Sequence, residues 1–332
     1  MTPSAAFREA LRVRSFSRAP RREDEAARAL AALGEGVLGV IFFGSQRTQA
    51  SPDRWSAYDF FVAVQAYRPF YESLKREGRI RRSARFLSAL NRVLAPSQIS
   101  LALADAAGRE LRAKCSVLTL EDLTLEASAS RHDHFTIGRL FQPSDVLYAA
   151  DVKVAEALLD VLVSAHAETY HWVRPWLPAR FDAEGYCRTL LRVSLSREIR
   201  PEPTERRADA LYEAQRAEQA PIYALLLHDL AKRGELSESS AGIYALARPV
   251  RFLERVKNHA YFQRSLARAT ARWFKHVLTF HDWLDYILHK VRRHAGEEIV
   301  LTPRERAWPL VFLWPKLFRY LRRKNDPTRR AS

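Results

Sequence analysis

Three residues in the first fifth of the chain have the types and spacing to bind a polyphosphate and a divalent cation. Gly44 and Ser45 directly follow the apolar run VLGVIFF, and Asp59 lies fourteen positions after Ser45 inside a second apolar run, YDFFVAV. Glycine lets a backbone approach phosphates closely, and the N–H groups and serine hydroxyl of such a turn can bind phosphate oxygens. A carboxylate on the neighbouring strand suits Mg²⁺. The pattern predicts a phosphate-binding turn beside a metal-binding aspartate.

The same residues also have a purely structural interpretation, in which the Gly-Ser pair caps a helix and Asp59 ends a strand. Asp59 is flanked by Tyr58, Phe60 and Phe61, and a buried carboxylate needs a partner or a metal. Because one carboxylate makes a poor magnesium site, we expect a second acid to converge on it from elsewhere in the chain. The candidates for this second acid are Glu110, Asp122 and Glu198.

The arrangement resembles the opening of the nucleotidyltransferase superfamily related to DNA polymerase β. That superfamily usually carries two acids one residue apart on the second strand, whereas the two positions here are Ala57 and Asp59. The mitochondrial-type phosphatidate cytidylyltransferases, the translocator assembly and maintenance family, also lack the first acid. The chain resembles a divergent bacterial relative of that family, which it matches at Gly44, Ser45 and Asp59.

Two later blocks extend this resemblance. The family's lysine-bearing strand and its Ala-Gly-Arg-Leu-x-Lys-Pro segment correspond here to KCSVLT and IGRLFQP, with matches at Lys114, Gly138, Arg139, Leu140 and Pro143. A looser third block places Glu198, Ile199 and Arg200 in SLSREIR, with Arg206 a little downstream. The chain departs from the family pattern at Phe43, Gln46 and Gln142, where the family has tyrosine, glycine and lysine.

The resemblance implies roles for the matched residues. The residues implied in catalysis are Asp59, which would bind Mg²⁺, Lys114 and Glu198, the preferred second acid. Those implied in nucleotide binding are Gly44, Ser45 and Arg139, and those implied in binding the lipid phosphate are Arg200 and Arg206. Lys114 and Arg139 would neutralise phosphate charge. Their structural alternatives are a solvated strand face for Lys114 and a surface salt bridge for Arg139.

Hydrophobic periodicity predicts an α+β fold. Strands are expected at Val37–Phe43 and Tyr58–Val64, and two more, joined by DAAG, between residues 99 and 120. Residues 1–22 have the composition of a loose basic arm, residues 24–36 and 67–95 those of helices, and an amphipathic helix is expected from Val146 to about His171. Beyond residue 178 we expect helices alone.

These elements, taken with the resemblance, imply a nucleotidyltransferase-like small mixed sheet of the DNA polymerase β type with helices, followed by an all-α C-terminal region. The expected organisation is a nucleotidyltransferase-like domain over residues 1–150, a helical domain over 151–260, and a basic amphipathic region over 261–332. Cys115 and Cys187 have neither disulfide nor zinc spacing, and we expect both to be small buried hydrophobic residues.

The charge of the chain favours anionic partners. It has 54 Lys+Arg and 38 Asp+Glu, a formal net charge of +16. Between residues 261 and 332, basic and aromatic residues alternate, as in helices at an anionic membrane interface. The alternative is a core helix whose Arg264, Arg268, Arg272 and Lys275 face water while its apolar stripe packs inward. No uncharged apolar stretch approaches the ~18 residues of a membrane span.

The resemblance implies transfer of CMP from CTP to phosphatidate, with Mg²⁺, at the inner face of a membrane in the cytoplasm. The products would be CDP-diacylglycerol and pyrophosphate. The alternatives are nucleotidyl transfer to a non-lipid acceptor, and a non-catalytic protein that binds nucleic acid or a membrane. Nucleic acid is disfavoured as a partner because the chain lacks a helix-turn-helix, zinc-finger or RNA-binding aromatic signature.

Overall fold

The computed structural model describes residues 3–19, 21–48, 57–104, 108, 110–196, 204–240, 242–279, 301–302 and 304–305. The chain forms two compact units, Met1–Lys275 and His276–Ser332. The three-part organisation expected from the sequence stays a prediction, and both of its boundaries, after residues 150 and 260, fall inside the first unit.

A five-stranded sheet lies at the centre of the first unit. Its strands, in the order β3-β4-β2-β1-β5, are β1 (Val37–Phe43), β2 (Tyr58–Val64), β3 (Ser97–Ala104), β4 (Glu110–Thr119) and β5 (Asp145–Ala149). Strands β2 and β4 run parallel, and the other neighbours are antiparallel. The strands predicted at Val37–Phe43 and Tyr58–Val64 and the pair joined by DAAG are confirmed, as is the α+β class with a mixed sheet.

Helices cover both faces of this sheet. They are α1 (Ala5–Phe16), α2 (Arg22–Leu33), α3 (Ser45–Thr48), α4 (Tyr67–Arg76), α5 (Ala84–Val93), α6 (Leu120–Glu126), α7 (Ile137–Leu140), α8 (Val152–Ala167), α9 (Thr169–Val173), α10 (Ala183–Ser196), α11 (Thr204–Lys232) and α12 (Phe252–Thr279). A 3₁₀ turn, Arg174–Trp176, follows α9. The helix predicted over residues 67–95 is divided into α4 and α5.

Alternating side chains of the strands enter two separate cores. Phe43 and Phe61 belong to the core formed with α1, α8, α10 and α11, whereas Phe42 and Phe60 belong to the core formed with α2, α4 and α5. This alternation is the period-two pattern of a strand buried on both faces. Full burial stabilises each such phenylalanine by about 1.5–3 kcal/mol.

The prediction of a loose arm over residues 1–22 is wrong, because α1 is an ordered helix packed on the first core. Ser4 Oγ accepts from the Phe7 N–H at 3.3 Å and caps it, and Phe7 and Leu11 are fully buried. The Ser4 N–H donates to Asp229 of α11 at 2.9 Å. Arg12 donates to Glu156 of α8 at 2.7 Å, so the basic face of α1 binds the fold.

Two predictions for the second half of the chain are also wrong. The helix expected from Val146 begins at Val152, because Asp145–Ala149 forms β5 on the free edge of β1. The Asp151 carboxylate accepts from the Val154 N–H at 2.8 Å and so marks the true start of the helix. Helices are not the only elements after residue 178, since β6 (Leu236–Ser240) and β7 (Ile243–Leu246) form a hairpin.

The four cations of α12 do not all face water, because Arg264 is exposed but Arg268 is half-buried and Arg272 and Lys275 are buried. Arg268 Nε and Arg272 Nη1 donate to Asp133 Oδ2 at 2.8 and 2.6 Å. Lys275 Nζ donates to the carbonyl oxygens of Leu90 and Pro96 at 3.2 and 3.3 Å. Arg272 and Lys275 are buried by these contacts, and burial, with a smaller effect of the Arg272 and Arg268 charges, lowers the pKa of Lys275 to about 7.

The segment RHDHF lies against α12. Its Arg131, Asp133 and His134 are buried there, and His132 is exposed. Cys115 and Cys187 are free and buried, as predicted, and burial raises the pKa of both thiols. Among the described helices, none has the length and apolar character needed to cross a membrane.

Candidate active site

The turn after β1 brings backbone into contact with a carboxylate. Gly44 has φ +93°, a conformation that favours glycine, and the Arg47 N–H donates to the Gly44 carbonyl at 3.2 Å. A β-carbon built on Gly44 would lie 2.8 Å from Asp59 Oδ2 and 3.3 Å from Asp59 Cβ. Only glycine therefore allows the Asp59 carboxylate to lie directly against this turn.

The strand register brings Lys114 next to the same carboxylate. Asp59 is paired with Phe43 on β1 and with Lys114 on the parallel strand β4. Paired residues on neighbouring strands share a sheet face, and this face carries Phe43 stacked on Phe61 with ring centroids 4.5 Å apart. Asp59 and Lys114 are both half-buried. The structure thus brings together Gly44, Asp59 and Lys114.

The negative charge of Asp59 affects the pKa of a neighbouring side chain in the sheet. Burial, and to a lesser extent the negative charge of Asp59, raises the pKa of the neighbouring Cys115 thiol. Cys115 lies on the opposite face of β4 and belongs to the second core. An inert thiol in that position fits a structural role, because the thiolate form is the reactive one.

Arg139 lies on α7, which packs in the same core as the Asp59 face of the sheet. Arg139 Nη1 donates to the Phe135 carbonyl at 2.7 Å, and its guanidinium lies 3.8 Å from the Phe135 ring centroid. Arg139 thus makes both a hydrogen bond and a cation–π contact with Phe135.

The candidates for a second acid lie in different places. Asp122, on α6 after the C-terminal end of β4, accepts a hydrogen bond from the hydroxyl of Tyr67. Glu110 is exposed at the start of β4 and accepts from Arg112 Nε at 3.0 Å. Glu198 lies outside the described residues.

The predicted lipid-phosphate ligands cannot be placed by side chain. Arg200 lies outside the described residues, and of Arg206 the structure describes only the backbone, within α11. Within the described part of the chain, no group of three or more His, Cys, Asp or Glu residues could hold a metal ion. Among the described candidates, Asp59 is the carboxylate that lies against the Gly44 turn.

A buried ion-pair network next to the turn escaped sequence reasoning. Arg47 of α3 donates from Nε and Nη2 to the two carboxylate oxygens of Asp145, both at 2.9 Å. Its Nη1 donates to Glu218 Oε1 of α11 at 3.0 Å. The partners lie 98 and 171 positions away in the chain, so the one local signal was an arginine two residues after a Gly-Ser turn.

The ionisation of this network follows from its contacts. Burial alone would lower the pKa of Arg47, but the hydrogen bonds to Glu218 and Asp145 outweigh burial and raise the pKa. Burial likewise opposes ionisation of Glu218, and Arg47 reverses that effect and lowers the pKa of the carboxyl. Arg47 is thus held as a cation between two carboxylates.

Gln46, the residue between Ser45 and Arg47, has a buried amide nitrogen that lacks a hydrogen-bond partner in the described structure. Leaving a buried donor unsatisfied costs about 1–3 kcal/mol. The first turn of α3, two residues after Gly44, therefore contains an unused buried donor.

The chain was compared with protein-family models and with curated proteins, and neither comparison gives a match. The family named from the sequence motifs therefore stays a prediction, based on Gly44, Ser45, Asp59 and the second block that contains Lys114 and Arg139.

Proposed function

We propose that the chain is a Mg²⁺-dependent nucleotidyltransferase that transfers CMP from CTP to phosphatidate, giving CDP-diacylglycerol and pyrophosphate, on a sheet of the DNA polymerase β type. The observation that carries the proposal is the close approach of the Gly44 backbone to the Asp59 carboxylate, with Lys114 in register beside it. Phosphate recognition needs a backbone without a side chain, a hard-cation ligand and a countercharge, and these three residues supply them.

The residues present fit a magnesium ion in part. The Asp59 carboxylate is a hard ligand, and the missing side chain of Gly44 lets its Oδ2 lie against the backbone of the turn. Asp59, with Glu198 as the preferred second acid, would hold Mg²⁺, which would neutralise charge on the phosphates. Lys114 adds a countercharge from the neighbouring strand, and the N–H groups of the Gly44 turn bind the terminal phosphates.

The reaction is a direct displacement. An oxygen of the lipid phosphate attacks the α-phosphorus of CTP, the bond to the bridging oxygen breaks, and pyrophosphate leaves with the electron pair. Positioning and charge neutralisation provide most of the catalysis in phosphoryl-transfer chemistry. A covalent enzyme intermediate is not required.

The outward face of α12 supports peripheral contact with an anionic membrane. Its exposed large apolar residues are Phe252, Leu253, Val256, Leu266 and Phe274. Exposed cations accompany them at Arg251, Arg255, Lys257 and Arg264. The single acid of α12, Glu254, pairs with Arg174. An apolar stripe flanked by cations suits the interface of an anionic bilayer, and we propose the cytoplasmic face of the membrane as its location.

The test combines purified protein, phosphatidate vesicles, Mg²⁺ and each of the four NTPs, and follows pyrophosphate and lipid-linked nucleotide. We expect CTP-dependent formation of CDP-diacylglycerol that Asp59→Asn abolishes. The matched control is Asp209→Asn, which removes an exposed carboxylate of α11 paired with Arg188. Nucleotidyl transfer to a soluble acceptor, without transfer to lipid, would show that phosphatidate is not the acceptor. Binding of vesicles or nucleic acid without turnover of any NTP would contradict the proposed enzymatic activity.

A further inference from the structure

We infer that Arg47 is a positioning residue, which holds the Gly44–Thr48 turn against Asp59 by tying α3 to β5 and α11. The inference rests on the proposed function only for the ligand that the turn receives. The structural part, that the turn depends on Arg47, stands on the contacts of the first unit alone.

The geometry is that of a two-sided fork. The Nε and Nη2 edge of Arg47 meets Asp145, and the Nη1 and Nη2 edge meets Glu218. Two parallel N–H···O bonds on each side fix the plane of the guanidinium as well as its distance from each carboxylate. Asp145 is itself fixed, because it is 3% exposed and pairs with Phe42 on β1, one residue before Phe43.

The turn needs such support because it has little of its own. Helix α3 has four residues, so its internal hydrogen bonds are few. Gly44 has a positive φ, and glycine gives the backbone a freedom that the fold must remove. Arg47 is three residues from Gly44, and its partners lie on β5 and α11, two longer elements of the same unit.

A direct role of Arg47 as a phosphate ligand fits the contacts less well. Its Nε, Nη1 and Nη2 atoms all donate to carboxylates already. Asp145 also pairs with Arg18 at 3.3 Å, so the two carboxylates around Arg47 are engaged in ion pairs of the fold. The arginine therefore acts through the backbone of the turn.

The chemistry of the fork supplies the test. Lysine at position 47 would keep the positive charge but lose the planar array of donors. The matched control is Arg188→Lys, because Arg188 likewise joins α10 and α11 through Glu184, Asp209 and Glu213. Both variants replace an arginine that binds carboxylates of α11. Of the two positions, Arg47 lies beside the turn and Arg188 does not.

Hydrogen exchange of a peptide covering residues 43–48 reports on the turn directly. We expect exchange about tenfold faster in Arg47→Lys, the factor that corresponds to one lost charge-assisted hydrogen bond, and unchanged in Arg188→Lys. The KM for CTP should rise by up to about 10²-fold in Arg47→Lys, because small displacements of a binding group weaken productive geometry. Glu218→Gln leaves Asp145 in place, so the exchange rate and the KM for CTP should both rise, but by less than in Arg47→Lys.

Each outcome decides the inference. Unchanged exchange in Arg47→Lys overturns it, and a raised KM with unchanged exchange would identify Arg47 as a phosphate ligand instead. Additive effects of Arg47→Lys and Glu218→Gln would also contradict a shared fork, since partners in one network are non-additive. If the wild type turns over no NTP, the proposed function fails, and the exchange measurement still decides whether Arg47 holds the turn.

Discussion

Replacing Gly44 by alanine is the sharpest perturbation of the candidate site. An L-residue in a left-handed conformation costs about 1–2 kcal/mol, and Gly44 has φ +93°. The new β-carbon would also lie 2.8 Å from Asp59 Oδ2, so the turn or the carboxylate must move. Relieving such overpacking costs about a further 1–3 kcal/mol.

Gly78→Ala separates the two contributions. Gly78 has φ +68°, and a β-carbon there would meet nothing within 4 Å. It therefore measures the backbone cost alone. We expect the free energy of unfolding, measured by urea denaturation, to fall by about 1–2 kcal/mol in Gly78→Ala. Gly44→Ala should lose at least about 1 kcal/mol more and should also lose affinity for nucleotide.

A double-mutant cycle with Asp59→Ala assigns the difference to one contact. Removing Oδ2 and Cγ leaves Asp59 Cβ at 3.3 Å from the added carbon, a distance that needs a small adjustment. Gly44→Ala should therefore cost nearly as little as Gly78→Ala when residue 59 is alanine, with a coupling energy of about 1 kcal/mol. Equal costs for the two glycine variants, without coupling to Asp59, would refute the close packing of turn and carboxylate.

Further predictions concern single side chains. Gln46→Ala should raise the free energy of unfolding by about 1 kcal/mol, because it removes an unsatisfied buried donor, and should weaken nucleotide binding measured by calorimetry. Lys114→Met should weaken CTP binding about tenfold at low salt and less at high salt. Asp133→Asn should cost about 3 kcal/mol at pH 7 in urea denaturation. Burial opposes ionisation of Asp133, but two arginines of α12 outweigh it and lower its pKa, so this difference should persist above about pH 4 and shrink as the pH falls below it. Phe252→Ser with Leu253→Ser should reduce sedimentation with anionic vesicles without lowering the melting temperature, since both side chains are exposed.

The central part of the fold was predictable because its signals are local. Val37–Phe43 and Tyr58–Val64 are apolar runs bounded by turn residues, and both are strands with the predicted bounds. A Gly-Ser turn after the first run and an acid at the start of the second must meet when the strands pair antiparallel. Sequence reasoning could therefore place Gly44 and Asp59 together before any coordinates.

The errors arise where the decisive partner is distant in the chain. Helix α1 buries two large residues, Phe7 and Leu11, amid arginines whose acids belong to α8, so its composition resembled a loose arm. The strand β6, LSESS, is exposed at four of its five positions and has no apolar alternation. The inward orientation of Arg268 and Arg272 on α12 depends on Asp133, which lies 139 positions before Arg272.

The docking of α1 has a consequence for how the chain folds as it is synthesised. Phe7 and Leu11 leave the ribosome long before one anchor of their helix, Asp229, which is 225 positions later than Ser4. At the usual rates of translation this separation corresponds to a wait of roughly 10 to 45 s. During that interval the helix presents an apolar stripe that α8, β5 and α11 cover in the folded unit, and such transiently exposed apolar surface is what chaperones bind. The unit can close its first core only late, when the chain through α11 has emerged.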